Sequence, residues 1–451
     1  MFLWMIQMKK LVLFNVLILL MILMQPIQVK PSYYTADSKI MVKSLTPSIN
    51  TVKFIYYTGD SSVVSDANLS TFLNDILDPF SVEEISSLNT YSDLENASVL
   101  MLLGLTSMDS IDMPLLVRFL RDGGSLLLAF PEEDYSVYNR ILDLFALKTS
   151  YPILDNSSYE NVKEIVIINS TYMTSNHPIF NSVFGSVEKI ILPHGIGIEP
   201  TGDKANINAT FTQYSLVWGT NTTFIDKNDN KNLDEDEEKG VNVSVIHILE
   251  LWYGGKIVIL PSVYMMTDEY LSMTKFNNYV FLKALTYWLG DQIGYISIRD
   301  ITVSTTNINL HTGPFELNVS FRITDENNNS LSDLKVDVYL TRLSQIIKNA
   351  TQITKINDID FRAVLDVYGL KAGVAIVYVM AYKPHYGYHW AGGIEIILFK
   401  PPVIPAEPDI PMILFGIVIP AVIGFSLVIY LLPEYRSNRQ KIREIEEKVP
   451  K

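Results

Sequence analysis

The sequence predicts an α/β domain with a mostly parallel sheet, then an all-β sandwich, then one C-terminal transmembrane helix. Three observations carry this. Apolar runs alternate with helical spacings through residues 48–290, β-rich runs broken by turn clusters fill 295–399, and 410–432 holds no charged residue.

The chain opens with Lys9 and Lys10 ahead of an apolar run over 11–24, the layout of a secretory signal or N-terminal anchor across 1–29. Residues 51–58 (TVKFIYYT) are β-branched and aromatic and predict the first strand. Leu69, Phe72, Leu73, Ile76 and Leu77 share one face of a predicted helix over 67–77. Residues 97–103 (ASVLMLL) form a continuous apolar run, as in a strand covered on both sides. Asp112 caps the next predicted helix, with Pro114 in its first turn and Gly123 at its end. Residues 125–130 predict a buried strand and 135–147 a further helix. Strand and helix in this alternation imply right-handed crossovers and a parallel sheet. From 151 to 260 strand-like runs dominate, notably 162–168, 189–192 and 241–251. A strand over 256–260 and a helix over 278–289 close the domain.

Residues 295–399 read as a sandwich of immunoglobulin type without the cysteine pair. Residues 400–409 (KPPVIPAEPD) are a proline-stiffened stalk. The stretch 410–432 is long enough to cross a hydrocarbon core of about 30 Å. Arg436, Arg439, Lys441 and Arg443 follow it in the tail 433–451, which assigns that side to the cytoplasm. The expectation is a single-pass type I membrane protein with the bulk of the chain extracytoplasmic, at the cell surface or in a lumen.

The net charge is −14, and the tail is itself basic, so the rest is more acidic than the whole. Such a surface repels phosphate backbones and argues against nucleic acid as a partner. There is no cysteine, which excludes disulfides, thiolate nucleophiles and cysteine zinc sites. No G-x-S-x-G elbow occurs; Thr106 and Ser107 after Gly104 are the hydroxyls a nucleophile would have to come from, though a turn hydroxyl ordinarily bonds locally. The expectation is therefore a chain without a catalytic nucleophile and without a required cofactor.

The metal candidate is the stretch 226–237, DKNDNKNLDEDE. Asp226, Asn228, Asn230, Asn232, Asp234 and Glu237 occupy positions 1, 3, 5, 7, 9 and 12 of a calcium loop, so that oxygen ligands alternate as a hard cation requires. Lys231 stands where glycine normally makes the turn. The six histidines are His177, His194, His247, His311, His385 and His389; none has close metal spacing, and the last two sit in a Tyr-rich turn that could hold an interfacial contact or a metal, though such a turn histidine is ordinarily packed or solvated. Asn-x-Ser/Thr triplets begin at Asn68, Asn96, Asn156, Asn169, Asn208, Asn221, Asn242, Asn318, Asn328 and Asn349, all within the expected exterior. In the apolar stretch, Gly416, Pro420 and Gly424 recur every four residues and leave room for a second transmembrane helix.

Several of these pieces resemble a known family. The G-K strand and N-N-x-x-F-L-x-x-L-x-x-W-L helix of 254–290 are similar to the closing unit of GIFT domains, which are catalytically silent and amidotransferase-like. Ser175-Asn176-His177-Pro178-Ile179-Phe180 is similar to that group's H-P-I turn. Val367-Tyr368-Gly369, the strand 374–382 and Tyr386-Gly387-Tyr388 resemble the V-Y-G strand and G-Y turn of DDOST/Wbp-type oligosaccharyltransferase subunits. The resemblance implies a flavodoxin or class I amidotransferase-like sheet in the first domain. It also implies a non-catalytic accessory subunit supporting protein N-glycosylation beside a membrane-embedded glycosyltransferase. The alternative is a cell-surface ectodomain that binds a glycan or small ligand.

Overall fold

The computed structural model describes residues 52–401, apart from 61, 158, 208, 209 and 344, together with Arg439. Nearly all of these fall in one compact unit, Val42–Arg342 with Ile346–Lys451; a second, Met1–Met41 with Leu343–Gln345, lies almost wholly outside the described residues. Also outside them are the segment 1–29, the stretch 410–432 with Gly416, Pro420 and Gly424, Asn208, and most of the stalk and tail.

A seven-stranded sheet organises the first domain. β1 (Lys53–Tyr57), β2 (Ser81–Ile85), β3 (Val99–Leu103) and β4 (Ser125–Ala129) pair in parallel in the order β2-β1-β3-β4. The chain then leaves this sheet through β5 (Leu147–Asp155), β6 (Ile165–Asn169), β7 (Asn181–Ser182), β8 (Gly185–Ser186), β9 (Lys189–Pro193) and β10 (Gly195–Pro200). With β11 (Phe211–Trp218) it rejoins the large sheet at its edge, and β12 (Thr223–Ile225) completes a small sheet in the order β10-β5-β12. β6 pairs with β9 and β7 with β8 as separate ribbons. β13 (Ser244–Leu251) and β14 (Lys256–Leu260) form a hairpin in which Glu250 faces Lys256; β14 runs parallel to β4, and β11 lies antiparallel to β13.

Alternation along the central strands explains why this sheet is buried on both sides. Phe54, Met101, Leu127 and Val258 enter one core with Phe281, Leu285 and Trp288 of the helix Asn278–Leu289. Ile55, Leu100, Leu126 and Ile257 enter the other with Leu116, Phe119 and Leu120 of the helix Met113–Arg121.

The expected α/β amidotransferase-like domain is overturned. Of the described residues, 43% are in strands and 17% in helices, and the strands are spread over several sheets. The stretch 135–147 is helical over 135–145, as its spacing predicts, whereas 67–77 builds only a short, irregular helical segment. At 67–77 the Asp268 carboxylate takes the Thr71 N–H at 2.7 Å and the Ser70 hydroxyl at 2.5 Å, and only a five-residue π turn, Phe72–Ile76, follows. There a helix nucleus stopped after about one turn gains little from propagation, so tertiary bonds prevail over periodicity. At 135–145 a 3₁₀ turn, an α turn and a second 3₁₀ turn follow without a break between Asp134 and Ala146, both left-handed at φ 55° and 58°. The buried Tyr138 hydroxyl accepts from Leu105 N and reaches the carbonyls of Leu102 and Ala129, which ties this segment to the strand ends.

The second part comprises β15 (Ser297–Val303), β16 (Asn307–Asn309), β17 (Glu316–Thr324), β18 (Lys335–Arg342), β19 (Gln345–Asn349), β20 (Gln352–Lys355), β21 (Asp360–Asp366), β22 (Gly373–Lys383) and β23 (Gly387–Phe399). They form two sheets, β15-β17-β21-β20 and β16-β23-β22-β18-β19. Leu317, Val319 and Phe321 from one and Val338, Val377 and Val379 from the other meet in a shared core.

Among the described residues no helix is long and apolar enough to cross a membrane. The single-pass type I arrangement, with its C-terminal transmembrane helix, is therefore unsupported by the structure, and the stretch 410–432 on which it rested lies outside the described residues.

Candidate functional site

The calcium-loop residues do converge, just after β12. Asp226 is 1% exposed, and its carboxylate accepts from Asn230 N at 3.2 Å and Lys231 N at 2.9 Å. Lys231 takes the left-handed conformation, φ 58°, in the place where glycine is usual, and its ammonium pairs with Glu164 at 2.6 Å. The side-chain amides of Asn228 and Asn230 donate to Asp234 Oδ2 at 2.6 and 2.7 Å, while Asn230 Oδ1 accepts from Asn232 N at 2.7 Å. Glu237 closes the loop through Lys227 N at 2.8 Å and Asp234 N at 3.0 Å. The acidic oxygens are thus engaged with the loop's own N–H groups. Among the described residues no group of three or more His, Asp or Glu is arranged to hold a metal ion.

The other candidates are dispersed. Ser107 Oγ bonds Asp109, one turn away, as a local turn hydroxyl does. His194 Nδ1 lies 2.9 Å from Glu132, and His389 Nε2 lies 2.7 Å from the Tyr386 carbonyl. Of the triplet asparagines, Asn68, Asn96, Asn156, Asn169, Asn221, Asn242, Asn328 and Asn349 are exposed. Asn318 is half-buried on β17, its oxygen held by Arg362 at 2.7 and 3.1 Å.

What the fold does bring together is a buried polar seam between the large sheet and the sandwich. Glu250 on β13 is fully buried and takes the Tyr214 hydroxyl of β11 at 2.9 Å; its second oxygen has no hydrogen-bond partner. Burial pushes its carboxyl up to about 7, against the opposing influences of the Tyr214 bond, the Lys256 charge, and the Tyr382 side chain and His385 backbone that also face it. Lys256, 1% exposed, donates to the Trp288 carbonyl and to Asp291 Oδ1, both at 2.7 Å, and lies 4.5 Å from the centre of the Trp288 ring.

The Trp288 indole in turn donates to the His385 carbonyl at 3.0 Å, across to the turn joining β22 and β23. His177 Nε2 is 3.2 Å from the Tyr214 hydroxyl, and its ring centre is 5.2 Å from that of His385. Burial holds both imidazoles below their ordinary value, His177 strongly, with the charges of His385 and Lys256 adding to its shift and Lys383 to that of His385. Beside them Trp390 donates to the Trp252 carbonyl at 2.6 Å, and the two indoles meet edge to face at 4.6 Å.

Sequence reasoning passed over Glu250, Lys256, Tyr214 and Tyr382. The available signal was a charge inside each of two apolar runs, VSVIHILEL and KIVIL, flanking one tight hairpin. Only the hairpin register makes the two charges neighbours.

No family model matches the chain, and no curated protein matches it. Among solved structures, the mmIFT52 N-terminal domain is similar at 14% identity over 52% of this chain and 97% of that one, with a TM-score of 0.40. An alpha-L-fucosidase isoenzyme 2 from Paenibacillus thiaminolyticus overlaps 71% of this chain and 49% of its own at 12% identity and a TM-score of 0.30. The cupredoxin domain of amoB from Nitrosocaldus yellowstonii overlaps 26% of this chain and 95% of its own at 12% identity and a TM-score of 0.16. These neighbours are distant, and none is an oligosaccharyltransferase subunit. Likenesses of this size carry no argument about activity.

Proposed function

We propose that the chain is a non-catalytic accessory subunit of a protein N-glycosylation complex, a two-domain platform that supports a glycosyltransferase. One observation carries the reading. Three of the motifs behind the family resemblance, the H-P-I turn, the closing helix and the G-Y turn, are far apart in sequence yet have residues at or beside the seam. Pro178 of the H-P-I turn packs so closely that a Cβ on Gly294 would fall 2.5 Å from it. Trp288 of the closing helix holds the His385 carbonyl, and Gly387 of the G-Y turn lies against the Lys256 side chain. Residue types that often do chemistry, Glu250, His177, His385 and Lys256, are here buried and engaged in joining two domains, which suits a platform better than a reaction centre.

The test is purification of the tagged chain from its native cells under mild detergent. Co-purification of a glycosyltransferase subunit, with lower N-glycan occupancy of cellular glycoproteins after depletion of the chain, is the expected result. Recovery of the chain free of any such subunit would sink the proposal.

A further inference from the structure

We infer that Lys256 and Asp291 condense into a side-chain amide, a covalent staple between β14 and the end of the helix Asn278–Leu289. The inference concerns the chain itself and holds whatever partner the platform serves.

The two reacting groups are already in contact. Lys256 Nζ lies 2.7 Å from Asp291 Oδ1, and the lysine side chain is 1% exposed against 17% for the aspartate. The nitrogen has little freedom to leave, because it donates to the Trp288 carbonyl at 2.7 Å and sits 4.5 Å from the centre of the Trp288 ring. Gly387 closes on its stem, where a Cβ would fall 3.4 Å from Lys256 Cε. Asp291 follows Gly290 at the end of the helix in the left-handed conformation, φ 57°, which is costly for a residue other than glycine and here sets its carboxyl against the amine. The carboxyl carbon is one bond beyond the contacted oxygen, so a shift of about 1 Å brings nitrogen and carbon to an attack distance of about 3–3.5 Å.

In water an ammonium and a carboxylate stay apart as ions, because both are well solvated. Burial removes that solvation, so a proton passed from the nitrogen to the carboxyl gives the neutral amine and acid that a dry site favours. The amine then attacks Asp291 Cγ; the C–N bond forms, and one carboxyl oxygen departs as water with a second proton from the nitrogen. One ammonium and one carboxylate thus become one amide and one water, and no oxidant, reductant or activating group is needed. Glu250 carries the proton between them. It faces Lys256 across the hairpin, is fully buried, and is close enough for the two charges to act on each other. Its carboxyl is held in place by the Tyr214 hydroxyl and faced by the Tyr382 side chain and the His385 backbone. The product keeps one N–H for the Trp288 carbonyl and removes a buried charge pair whose desolvation is costly. It also fixes Trp288, whose indole holds His385 across the seam, in a chain that has no cysteine for a disulfide.

Peptide mapping of the full wild-type chain, denatured and digested with trypsin, reads the bond directly. Trypsin cuts after Lys256 only where its amine has not condensed. The expected digest lacks the separate peptide 284–299 and contains it joined to 240–275, lighter by one water than the two parts together. Recovery of 284–299 on its own, beside a peptide that ends at Lys256, overturns the inference. Asp291→Ala should release both peptides, and a link at Lys256 that persists in this variant also overturns it. Asp291→Asn should give a linked peptide of the wild-type mass, since ammonia then leaves in place of water; a different mass would put the bond elsewhere. In newly made chain, Glu250→Gln should slow the joining by about 10²-fold or more, and Glu250→Asp should restore part of the rate. Joining at the wild-type rate in Glu250→Gln would overturn the part given to Glu250.

Discussion

Glu250 and Lys256 face one another across the β13–β14 hairpin, both buried, yet each bonds elsewhere: one Glu250 oxygen accepts from the Tyr214 hydroxyl, and Lys256 donates to Asp291 and the Trp288 carbonyl. Each charge thereby reaches a different element, and the hairpin becomes the hub of the joint.

Removing the cation should therefore cost more than a surface ion pair does. Lys256→Met leaves the Trp288 carbonyl without its donor and Asp291 without its cation, an expected loss of about 3 kcal/mol. Urea denaturation measures it. The accompanying change Glu250→Gln should recover part of the loss, because without Lys256 the buried carboxyl loses its one nearby positive charge; equal losses in the single and double variants would rule out that coupling.

Acid should weaken the fold through its buried imidazoles. Burial depresses His247 to about 4, so the folded protein keeps it neutral while the unfolded chain protonates below about 6.5. Its contribution is fully present above that value and is lost as pH falls toward 4. Glu250 acts with the opposite sign, favouring the folded state at low pH. Comparing His247→Gln with wild type isolates the first effect: the difference in urea midpoint should shrink or reverse from pH 7 to pH 4.5, and a constant difference would contradict it.

The loop 226–237 should hold its shape through its own hydrogen bonds. Asp226→Ala deletes the acceptor for two N–H groups and is expected to cost about 2 kcal/mol. The loss in melting temperature should be the same in chelator and in millimolar calcium. A calcium-dependent gain in the wild type that the variant lacks would instead place an ion in the loop.

Gly294 tests the close packing behind the seam. It sits at φ 57°, and a Cβ there would meet Pro178 at 2.5 Å. Gly294→Ala should cost about 2 kcal/mol and speed proteolysis between the two domains. Unchanged cleavage would mean that the H-P-I turn moves aside freely.

Much of the strand content was legible in the sequence. The runs at 51–58, 97–103, 125–130 and 256–260 contain β1, β3, β4 and β14, because continuous apolar residues can only be buried on both faces. The helices at 113–121 and 278–289 were legible, the first with Pro114 in its first turn and the second through periodicity; Asp112 stands at the N-cap position, but its side chain makes no capping hydrogen bond. The helical segment 135–145 was legible as well, whereas 67–77 misled in its length, since Asp268 acts on it from a distant position. The calcium-like spacing was visible, but the pairing of its oxygens with loop N–H groups was not.

By itself the sequence determined the acidic, cysteine-free composition, the central strands and the positions of the sequons, all of which are local properties. Only the tertiary structure decided that β5 to β10 and β12 leave the large sheet and pair among themselves in small sheets and ribbons. It alone also brought His177, Tyr214, Glu250, Lys256, Trp288 and His385 together. The reason is distance along the chain: Trp288 and His385 are 97 positions apart and His177 lies farther still from His385, so no window of sequence holds these partners, whereas the Glu250–Lys256 pairing is local but needs the hairpin register to become visible.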